Sequence, residues 1–90
     1  MKPSFSSVWK RVLSNEGEPF ETKTGKPFTY EIERDYFLPS RTTYKSSIAE
    51  FEKAYELVPF DGPGVINLTV RGPAYVWAVL HDHRIRLGDW

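Results

Sequence analysis

Glu18-Pro19-Phe20-Glu21-Thr22-Lys23-Thr24-Gly25-Lys26-Pro27-Phe28-Thr29-Tyr30-Glu31-Ile32-Glu33-Arg34-Asp35-Tyr36-Phe37-Leu38 is the stretch on which the fold turns. Phe28, Tyr30 and Ile32 alternate with Thr29, Glu31 and Glu33, the period of two that places apolar side chains on one face of a strand and polar ones on the other. Upstream, Glu18 to Thr22 reads as a short strand, joined through Lys23-Thr24-Gly25-Lys26, where Gly25 supplies the positive φ of a bulged hairpin turn. Downstream, Arg34-Asp35 suits a tight reversal into Tyr36-Phe37-Leu38, which Pro39 ends. The expectation is a three-stranded antiparallel meander.

On either side of this sheet the apolar period lengthens. Ser4 can cap a helix over Phe5 to Leu13, with Phe5, Val8, Trp9 and Val12 at helical spacing and Asn15-Glu16-Gly17 as its stop. Ser47-Ile48-Ala49-Glu50 is a capping box, and Ile48, Phe51, Ala54, Tyr55 and Val58 form the stripe of the helix it starts, with Pro59 as the stop. Gly72-Pro73 marks a third start, because proline suits the first helical position. Ala74 to Leu80 follow without a charge on any side, the mark of a buried helix. Ile66, Leu68 and Val70 alternate with Asn67 and Thr69, predicting a strand over Val65 to Val70, with a helical turn as the alternative. Arg84-Ile85-Arg86-Leu87 alternates again and is read as a further edge strand. The fold class is therefore α+β: one domain over residues 1–90, a three-stranded antiparallel meander packed against three helices, with one or two extra short strands.

Ninety residues make a single modest core, for surface scaling predicts a folded area of about 5,400 Å² and about 64% of the open chain's surface hidden on folding. Twelve basic and twelve acidic side chains cancel, so no global field draws the chain to a polyanion or an anionic membrane. There is no cysteine, which removes disulfides and thiolate metal sites. The N-terminal stretch is broken by Lys10 and Arg11, and the longest apolar run, Ala74 to Leu80, is far short of a membrane span. A soluble cytoplasmic protein with no membrane partner is expected, so the glycosylation pattern at Asn67-Leu68-Thr69 carries no weight. Aromatic content is the unusual feature: six Phe, five Tyr and three Trp make up 16% of the chain.

Candidates for catalysis are sparse. His81 and His83 flank Asp82, and on a strand they would share a face as metal ligands; on a helix they diverge by about 200°. No third ligand lies nearby in sequence, so His81 is expected to end a helix, and no metal or cofactor is expected. The nucleophile motifs of hydrolases are missing, Glu50, Glu52 and Glu56 sit on a solvent face, and Gly62-Pro63-Gly64 lacks the lysine and hydroxyl of a phosphate loop. The chain is thus read as a non-catalytic binding domain.

Residues 1–45 carry eight basic against six acidic side chains, and residues 46–90 carry four against six. Lys23 and Lys26 lie at the hairpin tip, and the carboxylate-free connection Pro39-Ser40-Arg41-Thr42-Thr43-Tyr44-Lys45-Ser46 holds the residue types that bind phosphate and sugar. Neither late helix can serve as a recognition helix, one being acidic and the other apolar. Nucleic acid is therefore the expected partner, through Lys23, Lys26, Arg41, Tyr44, Lys45 and Arg71, with Tyr30 or Tyr36 as stacking rings on an open sheet face. The alternative is a protein-interaction module or homodimer using Phe60 and Trp90, which look poorly placed for the core.

Overall fold

The computed structural model describes residues 2–90. Helix α1 (Phe5–Ser14) leads to a hairpin of β1 (Phe20–Glu21) and β2 (Pro27–Phe28), then to β3 (Tyr30–Glu33), β4 (Tyr36–Pro39) and β5 (Ser46–Ser47). Helix α2 (Ile48–Glu56), a 3-10 turn (Pro63–Ile66), α3 (Pro73–Leu80) and α4 (His83–Arg86) complete the chain. This is an α+β globule whose surface, 5332 Å², agrees with the area expected from its length.

The meander forms, but with a different membership. β1 pairs with β2 as a separate antiparallel ladder, Phe20 opposite Phe28, while β3, β4 and β5 form the three-stranded sheet in that order. Pro27, which has no N–H to extend a ladder, lies at the end of the first ladder opposite Glu21, and Pro19 directly precedes it. At Thr29 the backbone changes partner, donating to Ser40 Oγ at 3.0 Å and accepting from Ser40 N at 2.8 Å. The third strand of the larger sheet comes from Ser46–Ser47, the end of the basic connection and the helix cap, where no strand is expected from the sequence.

Two further segments are helical and not extended, the first taking the helical turn that was the alternative for Val65 to Val70. Val65 to Val70 is a 3-10 turn running into a bend, with Val65 N bonded to Gly62 O and both Thr69 N and Val70 N to Ile66 O. Ile66 and Val70, four apart, share the inward face of this turn at 0% and 6% exposure, while Leu68 is thrown outward at 99%. At the C-terminus Asp82 Oδ1 accepts from Arg84 N at 2.9 Å, and this cap starts the short helix α4 where a strand was expected. Ile85 is fully buried by it.

Three helix starts match the pattern of the chain. Ser4 caps α1 through Ser7 N. Gly72, at φ +63°, makes the left-handed step into Pro73 and α3. Ser47 and Glu50 form the reciprocal box, Ser47 Oγ accepting from Glu50 N at 3.1 Å and Glu50 Oε2 from Ser47 N at 2.9 Å. Glu50 does more than cap, for its Oε1 accepts the Arg71 amide at 2.9 Å while Ser46 Oγ donates to Arg71 O at 2.5 Å. Both backbone groups of Arg71 are thereby tied to the β5–α2 junction.

Twelve of the fourteen rings pack in or against the core, Tyr36 and Tyr44 being the exceptions. Val8 and Val12 of α1 are fully buried against Phe20, Phe28, Tyr30, Phe37 and Phe51, and Tyr30 OH donates to Val12 O at 2.5 Å. Burial pushes the Tyr30 phenol far above its ordinary value, so it remains a neutral donor. Phe60 and Trp90 are only partly exposed and pack on this core, contrary to their expected poor fit there. Trp90 Nε1 donates to Leu80 O at 2.7 Å, and Phe60 O accepts from Trp77 Nε1 at 3.0 Å.

Burial tends to raise the Glu50 carboxyl, but amide bonds from Ser47 and Arg71, with the Arg71 charge, outweigh it and hold the group below 4.5. Its contribution to stability is therefore full above the ordinary carboxylate value and is lost as pH falls through the lowered one. Glu50→Ala is expected to cost about 1–2 kcal/mol in urea unfolding at pH 7, with a smaller cost in acid.

Candidate functional site

The β4–β5 connection, residues 40–45, is anchored at both ends. Ser40 holds Thr29 through two hydrogen bonds, and buried Ser46 holds Arg71. Within the loop, Tyr44 N donates to Thr42 Oγ1 at 3.2 Å, a local turn that leaves Tyr44 60% exposed. Arg41 Nη1 donates to Pro27 O at 3.4 Å, which joins the loop to the exposed end of the β1–β2 hairpin beside Lys26. On the other flank, Lys45 Nζ lies 4.4 Å above the Tyr36 ring on the outer face of the sheet.

Of the six basic-loop candidates, Arg41, Tyr44 and Lys45 lie in the loop itself, Lys26 neighbours the Pro27 carbonyl that Arg41 reaches, and Arg71 is tied to Ser46 at the loop's end. Lys23 does not join them. Its Nζ donates to Asp61 O at 2.6 Å and lies 5.8 Å from the Trp77 ring, so the side chain folds across Gly62. Among the described residues the ion pairs are Arg11 with Asp89 and Asp82 with Arg84 and His83, and none reaches Lys26, Arg41, Lys45 or Arg71. Glu50 feels the Arg71 charge, but its oxygens are occupied by backbone amides. Of the stacking rings expected on the sheet, Tyr30 is 1% exposed and so withdrawn into the core, while Tyr36 is 39% exposed with the Lys45 ammonium 4.4 Å over its ring. Glu31 and Glu33 point outward on β3, so the open sheet face beside Tyr36 is acidic on one edge.

A second feature escaped the sequence pattern. A cleft of about 550 Å³ opens between the β1–β2 hairpin and the C-terminal end of α3, lined by residues including Phe20, Thr22, Lys23, Trp77, His81 and Arg84. Its main titratable groups are bonded within the protein. Arg84 grips Asp82 through Nε at 2.9 Å and Nη2 at 3.0 Å, donates to Pro19 O at 2.7 Å and stacks 3.9 Å from the Phe20 centroid. His81 ends α3 as expected; its Nε2 accepts from Phe60 N at 3.2 Å, so Nδ1 carries the proton and donates to Trp77 O at 2.9 Å. His83 is exposed and faces solvent on α4. Only the Asp82 cap could have hinted at this corner, since Lys23, Phe60 and Trp77 meet through long-range packing.

No protein-family model matches this chain, and neither a curated protein nor a solved structure is significantly similar to it. No helix among the described residues is long and apolar enough to cross a membrane.

Burial lowers the His81 value below 6.5, opposed by the Trp77 carbonyl and assisted by the Arg86 charge, with Lys23 over the neighbouring Trp77 ring and Asp82 next in the chain. Protonation at Nε2 would turn the acceptor of the Phe60 amide into a second donor. Stability from this neutral histidine is full above 6.5 and is lost as pH falls through the lowered value. Thermal unfolding between pH 8 and pH 5 should show this decline, and His81→Phe should cost about 1 kcal/mol at pH 8 while flattening the slope.

Proposed function

We propose that this chain is a non-catalytic nucleic-acid-binding domain whose contact surface is the β4–β5 loop with the adjoining end of the β1–β2 hairpin. The observation that carries the reading is the Arg41 bond to Pro27 O, which joins the loop bearing exposed Tyr44 to the hairpin end beside Lys26, with no carboxylate ion-paired to Lys26, Arg41 or Lys45 among the described residues. Phosphate oxygens are the complement of such a surface. α1 carries one exposed cation, Lys10, beside an Arg11 already paired with Asp89, and the other helices offer no basic face. α2 presents Glu50, Glu52 and Glu56 against Lys53, α3 is apolar, and on α4 both Arg84 and Arg86 are bonded to the protein's own carbonyls. Zero net charge means that affinity depends on this local patch and falls steeply with salt.

A second reading, a protein-binding or homodimeric role, draws on a different observation. With Phe60 and Trp90 packed on the core, Leu68 at 99% and Val65 at 55% exposure are the apolar side chains an interface would use. Light scattering that reports a dimer lost in Leu68→Ser would favour it.

Fluorescence anisotropy with labelled oligonucleotides at low salt tests the first reading. Lys26→Glu with Arg41→Glu is expected to weaken binding by about tenfold or more, and log affinity should fall with log salt at a slope of about −2 to −4 for three or four phosphates. No binding at low salt, or binding indifferent to the two reversals, overturns it.

A further inference from the structure

The geometry points to single-stranded nucleic acid, DNA or RNA, as the ligand of the β4–β5 loop, with Tyr44 as the platform on which one base stacks. The inference rests on the nucleic-acid reading and adds the form of the ligand.

Three observations converge on it. First, burial and packing have sorted the rings. Tyr30 is buried, Tyr36 lies under the Lys45 ammonium, and Phe60, Trp77 and Trp90 pack on the core. Tyr44, at 60% exposure, has neither a ring nor a cation against it among the described residues. An aromatic face of this kind is useful to a base whose own face is free, which is the condition of a single strand and not of the stacked interior of a duplex.

Second, the loop is preorganised. Ser40 and Ser46 clamp its two ends, and the Thr42 hydroxyl turns the chain so that Tyr44 is presented outward. Little ordering entropy is left to lose on binding. Third, cations lie on both sides of the tyrosine along the chain: Arg41 precedes it and bonds Pro27 O next to Lys26, and Lys45 follows it next to the Ser46 that holds Arg71, an order that suits phosphates on either side of a stacked base. A duplex laid over the same loop would gain the phosphate contacts but not the stack.

The test compares one labelled 12-nucleotide sequence as single-stranded DNA, as single-stranded RNA and as a matched duplex, by anisotropy at low salt. At least one single strand should bind about tenfold or more tightly than the duplex, and the better of the DNA and RNA arms identifies the sugar. Tyr44→Leu should weaken single-strand binding by about 5-fold to 100-fold and leave duplex binding unchanged, while Tyr44→Trp should preserve it. The exposure of the ring keeps these variants folded, which circular dichroism verifies. Equal affinity for duplex and single strand, or indifference to Tyr44→Leu, overturns this inference while leaving nucleic-acid binding in place. Absence of binding to all three overturns both.

Discussion

A continuous chain of aromatic contacts holds this small protein together. It runs from Tyr75 through Phe28, Phe20, Tyr30, Phe37, Phe51, Trp9 and Phe5 to Tyr55 and Trp90, with ring centroids 4.9–6.0 Å apart at each step. Each such pair contributes about 0.5–1.5 kcal/mol beyond the area it hides. The chain also explains how two separate β ladders behave as one layer: the Phe20–Tyr30 contact spans them where strand hydrogen bonds do not. Helices α1, α2 and α3 dock on the same rings, and the last residue, Trp90, is held at the far end against Tyr55.

Once the rings are committed to the interior, the polar groups divide by location. At the α1–α4 side, cations are taken up: Arg11 pairs with Asp89 at 2.8 Å and bonds Ile85 O, and Arg84 is locked to Asp82. At the loop end, carboxylates are spent on backbone amides instead. Glu50 serves Ser47 and Arg71, and Glu16 caps the free edge of β3 through Ile32 N at 2.7 Å. A chain of zero net charge thus keeps Arg41 and Lys45, which flank Tyr44 in sequence, out of ion pairs among the described residues without any excess of basic residues overall.

Much of the architecture was legible where the signal was local. The Ser4 cap, the Ser47–Glu50 box and the Gly72-Pro73 start each act within one helical turn, so neighbouring residues suffice to read them. Gly25, at φ +85°, was equally readable as the hairpin turn. Alternation over four to six residues was not decisive. Ile66-Leu68-Val70 and Arg84-Ile85-Arg86-Leu87 look like strands, yet Ile66 and Val70 are also four apart, and an Asp82 cap outweighs a pattern so short. The candidate site was partly legible too. The carboxylate-free loop is visible in sequence, but nothing local announces that Lys23 folds onto Asp61 or that Lys45 covers Tyr36.

The α+β class, the helix starts, the alternating strand and the basic, hydroxyl-rich connection are all legible from residue order, because they depend on backbone preferences and on side chains a few residues apart. Strand pairing, the completion of the sheet by Ser46–Ser47, and the exclusion of Tyr36 and Tyr44 from the core could not be read locally. Those outcomes depend on contacts between residues far apart in the chain, such as Ser46 with Arg71 or Tyr55 with Trp90, where competition for a limited buried volume settles each side chain's place.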